Sequence, residues 1–294
     1  MTKYSIDQFS GITGITKFVL RTWENRYGYL KAERTDTNIR IYNDQMVVRA
    51  LNTNYLLNHG FKISRIAKLS DAEVMEAVHK IKIQDTSTKP EYYINEIIVA
   101  ALNFDSIKFD AVYKEGVEEF GLLEFYKKVI LKTMHKIGIL WLTNRVAPSQ
   151  EHFLSEYIKQ KIAVATDQKF SSENTGKNWL LFLPENEFHE IGLLFAKFLL
   201  VQHGFNVIFL GANVPYGSLV QVAQNIDIDY TLLFSVSNTS KNNLDFTIKY
   251  LETNFNDTTH YIISNNVSLD TASIKTDVKI FSDLDNFLED ISQV

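Results

Sequence analysis

The sequence contains no cysteine, which excludes a disulfide framework, a thiolate metal site and a thiol nucleophile. It also lacks any run of about 18 apolar residues, so no stretch reads as a membrane span. The opening Met1-Thr2-Lys3-Tyr4-Ser5 has no apolar core of a signal peptide, and a cytoplasmic location is the expectation. The histidines offer no HExxH or similar hydrolase spacing, and His59, His79, His135, His203 and His260 are scattered singles that read as structural or solvated. Gly211-Ala212-Asn213 and Gly217 lack the spaced glycines of a nucleotide fingerprint. No enzymatic role is expected.

What is present divides into parts. A chain of 294 residues exceeds what one core usually organises, so two or three domains are expected. The net charge of −5 conceals an asymmetry. Residues 1–70 hold eleven Lys/Arg against five acids, a surplus of six, which leaves −11 for the remainder. A basic segment on an acidic body is the footprint of a nucleic-acid reader.

Three blocks follow from pattern and punctuation: 1–75, 88–172 and 177–294. The first consists of short helical pieces broken by glycine. Gln84-Asp85-Thr86-Ser87-Thr88-Lys89-Pro90 reads as a linker, and from Glu91 to about Phe170 apolar residues recur at helical spacing, as in a four-helix bundle. A polar break at Ser171–Lys177 precedes apolar runs Trp179–Leu183, Phe205–Leu210, Tyr230–Ser235, Tyr261–Ser264 and Val278–Phe281, separated by helix-length segments. That alternation predicts a doubly wound parallel sheet of Rossmann or flavodoxin type.

In the first block, Ser5 with Gln8 is a capping box, Ser10–Gly14 reads as a turn, and Thr16 caps a second helix that Gly28 ends. At 100° per residue Val19, Leu20, Trp23 and Tyr27 share a core face. Lys17, Phe18, Arg21 and Asn25 share the opposite one, a strip suited to a major groove. Asp36-Thr37-Asn38 turns a short hairpin flanked by Arg34, Arg40 and Tyr42, donors that could bond phosphates. Asn43 caps a third helix that stops at Gly60, and Lys62, Ser64 and Arg65 begin a fourth. Leu20–Gly28, Arg40-Ile41-Tyr42 and Gly60–Ile66 together resemble the N-terminal domain of MerR-family regulators. The resemblance implies a winged helix-turn-helix that binds a double-stranded DNA operator as a dimer.

The last block carries Glu187-Phe188-His189-Glu190-Ile191-Gly192 directly after its first strand, where open α/β sheets bind ligands. A neutral imidazole can ligate a metal through one nitrogen while a carboxylate holds the other. In the helical block, nine residues separate Trp141 from Glu151-His152, and these could converge over one pocket; alternatively Trp141 is bundle core and His152 a polar helix start. The two blocks together resemble the cobalamin-binding half of methionine synthase and of the CarH/LitR-like photoreceptor repressors. That resemblance implies cobalamin (adenosylcobalamin or methylcobalamin) as cofactor, with His189 on the cobalt, Glu187 supporting it and Gly192 closing the motif. It also implies Trp141, Glu151 and His152 at the upper face, and Ser235 and Ser237 along the slot for the nucleotide tail. A cobalamin-sensing repressor forming dimers or tetramers is the reading that follows. A repressor whose degenerate pocket serves protein contacts, or a corrinoid carrier protein, are the alternatives. Two departures stand out: Ser264-Asn265-Asn266 replaces a glycine pair, and Leu142 replaces a histidine that light-sensing members carry.

Overall fold

The computed structural model describes residues 3–35, 37–84, 89–142, 146–170, 176–237, 243–255, 257–264 and 277–291. Contacts divide the chain into two compact units, 1–157 and 158–294.

The first unit opens with β1 (Lys3–Ser5) and α1 (Ile6–Thr13). The Ser5–Gln8 capping box is formed reciprocally, at 2.9 and 3.3 Å. Helix α1 runs through Ser10–Thr13, so the expected turn begins only at Gly14, which takes φ +74°. Burial of Phe9, Ile12 and Thr13 on one helical face outweighs the weak helix propensity of Gly11. Helix α2 (Lys17–Tyr27) is capped by Thr16 and ended by left-handed Gly28. The hairpin β2 (Glu33–Arg34) and β3 (Arg40–Asn43) follows, with β1 added on the other edge of β3. Asp36, part of the expected turn, lies outside the described residues, while Asn38 adopts φ +64°.

Asn43 caps α3 (Asp44–Asn58), after which come α4 (Ile63–Ile66) and α5 (Asp71–Gln84). Tyr55, Leu56, Ile66, Val74 and Val78 form a common core against which Tyr92 also packs. Arg49 fastens this corner: its guanidinium donates to the Leu69 carbonyl at 2.6 Å and pairs with Asp71.

The bundle comprises α6 (Lys89–Leu102), α7 (Ser106–Phe120), a long third helix and α10 (Pro148–Asp167). The third is α8 (Leu122–Phe125), a π-helical turn at Tyr126–Ile130, and α9 (Leu131–Leu142) in succession. Lys89 and Pro90 of the expected linker open α6, proline being tolerated in a first helical turn. Asp85–Thr88 and Ser171–Thr175 lie outside the described residues.

The sheet of the second unit contains β4 (Asn178–Phe182), β5 (Asn206–Gly211), β6 (Tyr230–Phe234), β7 (Thr259–Ile263) and β8 (Val278–Phe281). All pairings are parallel and the spatial order is β5-β4-β6-β7-β8. Strand order thus reverses at β4, the flavodoxin-like form of the doubly wound fold. Helices α12 (Tyr216–Ala223) and α13 (Leu244–Asn254) cover one face through Leu219, Leu244, Ile248 and Leu251. On the other face α14 (Leu284–Ile291) brings Phe287 onto Trp179 and Tyr261. Helix α11 (Ile191–Gln202) also packs on that face, through Gly192 against Phe234.

Candidate nucleic-acid interface and ligand site

Of the expected strip on α2, Lys17, Arg21 and Asn25 are exposed and Phe18 is 78% exposed. Lys17 pairs with Asp7 of α1. The opposite face holds Leu20 in the core, with Val19 and Trp23 half-buried. Tyr27, expected there too, is exposed, because α2 ends at Gly28 and Tyr29 occupies the core position, edge-on to Trp23 at 5.5 Å.

Glu24 sets the position of the hairpin. Its carboxylate accepts from Arg40 Nε at 2.7 Å and lies 3.9 Å from the Arg34 guanidinium, which also donates to Asn38 Oδ1 at 2.8 Å. One helix side chain therefore gathers both wing arginines, a link that the sequence alone did not suggest. Tyr42, expected as a phosphate donor, is largely covered. It is 3% exposed, its ring stacks on Phe9 at 4.1 Å, and burial raises its phenol pKa. Strand alternation puts Arg40 and Tyr42 on one face of β3, and the phenol lies among the charges of Glu24, Arg40, Arg21 and Arg34.

In the second unit the loop after β4 carries the other constellation. Glu187 is fully buried, and one of its oxygens, Oε1, accepts from His189 Nδ1 at 2.6 Å and from the amides of Phe188 and His189. The other, Oε2, accepts from the amides of Val236 at 3.0 Å and Ser237 at 2.7 Å, in the loop after β6. These donors compensate a buried charge that would otherwise be costly. The loops after β4 and β6 flank the point where strand order reverses, and Glu187 bridges them. With Nδ1 facing a carboxylate, a neutral His189 ring carries its lone pair on Nε2, on a side chain 59% exposed.

Gly192 starts α11 so close to β6 that a β-carbon there would lie 2.7 Å from Phe234 Cε1. Ser235 is buried, and its carbonyl accepts from Ser264 Oγ at 3.0 Å. Asn265 and Asn266 lie outside the described residues. The structure thus gathers Glu187, His189, Gly192, Ser235 and Ser237, as expected. It adds the Val236 amide and Phe234, neither of which has a recognisable signature. Glu190, beside His189, pairs with Lys159 at 3.0 Å.

The remaining expected residues belong to the first unit. Trp141 lies at the end of α9 and is 42% exposed, so it is not bundle core. Glu151 stands in the first turn of α10 and meets the following His152 at 3.2 Å, with Ser155 donating to Glu151. Among the described residues no group of three metal-ligating side chains occurs, and no helix is long and apolar enough to cross a membrane.

Two stretches of the chain match known family models. Residues 4–73 match the MerR HTH family regulatory protein model, and residues 93–166 match the B12 binding domain model. The chain is 26% identical over 254 residues to the HTH-type transcriptional repressor CarH of Myxococcus xanthus, covering 84% of each. It is 26% identical over 224 residues to the repressor CarA of the same organism, covering 73% of this chain and 72% of that one. Among solved structures, the monomethylamine corrinoid protein of Methanosarcina barkeri shares the fold at a TM-score of 0.55 and 16% identity, covering 69% of this chain and 97% of that one.

Proposed function

We propose that this chain, which joins a MerR-type helix-turn-helix domain to a B12-binding module, is a transcriptional repressor that senses cobalamin. The observation that carries the reading is the buried Glu187 carboxylate holding His189 at the switch point of the sheet, in a chain whose second helix, α2, presents Lys17, Arg21 and Asn25 outward. As a working division, 1–75 reads DNA, 88–172 caps the ligand and 177–294 holds it. A cytoplasmic homo-oligomer, dimer or tetramer, on a double-stranded operator fits this organisation.

At the DNA, Arg21 and Asn25 have the chemistry to bond base edges, and Arg34 and Arg40 can bond phosphates from the wing. At the ligand site, His189 would hold the cobalt, Glu187 would fix its tautomer and raise its basicity, and Ser235 and Ser237 would lie alongside. Trp141, Glu151 and His152 would help to hold the corrin from the helical block. The donor set fits: a neutral imidazole backed by a buried carboxylate suits a transition metal held by nitrogen. When bound, the corrin supplies a cobalt centre able to take an imidazole ligand, which makes occupancy visible in the absorbance spectrum. The Ser264–Ser235 hydrogen bond lies where the resemblance places the slot for the nucleotide tail, and it favours a second reading, in which this module serves protein contacts. The corrinoid-carrier reading does not account for the basic N-terminal domain.

The test is to mix the protein with adenosylcobalamin, and separately with hydroxocobalamin, desalt, and record the spectrum and cobalt content. Wild type should retain corrinoid and His189→Ala should lose most of it. Retention by neither protein would leave the second reading standing.

A further inference from the structure

We infer that Phe18 is a specificity determinant which reads the 5-methyl group of thymine in the major groove. This rests on the DNA-reading role proposed above and names what part of that helix recognises.

Phe18 is 78% exposed, and it stands second in α2, the end of such a helix that contacts base edges. At 100° per residue it lies within about 20° of Asn25 and about 60° of Arg21, so it forms one edge of the outward strip beside those two side chains. Lys17, on the margin of that strip, is engaged with Asp7. Phe18 belongs to no apolar patch of its own helix: Tyr27, the other exposed large apolar residue of α2, lies about 180° away. Phe18 contributes nothing to the core, which Leu20 enters from the opposite face. The strip therefore offers an amide, a guanidinium and one apolar ring. A major groove presents hydrogen-bonding groups that suit the first two and a single apolar group, the thymine methyl, that suits the third.

The experiment uses the full-length protein. A binding duplex is recovered from a randomised pool, then resynthesised with deoxyuridine replacing thymidine one position at a time. That exchange removes the methyl and leaves the base's hydrogen-bonding groups unchanged. Wild type should lose roughly fourfold in affinity per contacted methyl, the worth of one buried carbon. Phe18→Ala should bind both duplexes alike, near the deoxyuridine value of wild type, and Phe18→Leu should keep part of the discrimination. A wild type indifferent to the exchange at every position would overturn the assignment, as would undiminished discrimination in Phe18→Ala. If no sequence is enriched and no salt-dependent binding occurs, the regulator reading fails and this inference with it. Enrichment without thymine discrimination defeats this inference alone.

Discussion

His260 lies in β7, 1% exposed, with Nδ1 2.9 Å from Thr231 Oγ1. Burial pushes its imidazole pKa from 6.5 down to about 4, so the folded protein holds it neutral. Between those values the unfolded chain binds more protons; the contribution to stability is therefore complete above about pH 6.5 and lost as pH falls towards 4. The loss should amount to about 3 kcal/mol at most, read as a declining urea midpoint that His260→Gln flattens. Equal pH profiles in the two proteins would remove His260 from the account. Gly192 offers a second check. Its alanine variant must displace the Phe234 ring, at about 1–3 kcal/mol, and Phe234→Leu in the same chain should recover much of that. The sequence marks Gly192 as a place without side-chain bulk, but the obstacle is 42 residues away and no spacing rule reaches it. Tyr42 shows the same limit. Its hydroxyl suggested a phosphate donor, whereas only the fold reveals Phe9 stacked on its ring.

Among the elements, local chemistry was legible wherever it acts within a few residues. Ser5, Thr16 and Asn43 cap the helices they were expected to cap, and the five strand runs lie within about two residues of their observed ends. Gly11 misled because a glycine inside a short helix looks like a breaker until its neighbours' burial is known. The reciprocal Ser70–Glu73 cap at the start of α5 has the same signature as the Ser5–Gln8 box. The union of wing and recognition helix, in contrast, depends on Glu24 meeting Arg40 sixteen residues away. Glu24→Gln should lower stability by about 1 kcal/mol, since the pair is only partly shielded from water. It should also reduce the ratio of specific to non-specific DNA affinity, measured by competition with a scrambled duplex. Equal gains on both duplexes would mean that Glu24 acts merely as a charge opposed to phosphate.

For the whole molecule, the sequence conveyed the order of parts because each has its own periodicity, but not their exact limits. Residue 75 falls inside α5, whose Val74 and Val78 share a core with Tyr55 and Leu56. A fragment ending at 75 should accordingly melt lower than one ending at 84, by circular dichroism, and equal melting would show that Val78 adds nothing there. The response to light is the remaining large-scale expectation. Position 142 carries leucine where the resemblance expects histidine in light-sensing members, and its side chain lies outside the described residues. Green illumination of the adenosylcobalamin-loaded protein should change DNA affinity less than tenfold; a tight dark complex dissociated beyond that would show another group, or none, to suffice. Glu187 carries a last consequence, for how occupancy could be heard at a distance. Amides from two separate loops donate to its single carboxylate, together with the ring of His189. Opening either loop strands part of that charge, so the backbone protons of Phe188, His189, Val236 and Ser237 should exchange with heavy water as one group. Anything that steadies the imidazole slows the exchange of Val236 and Ser237, some fifty residues along the chain, without touching them.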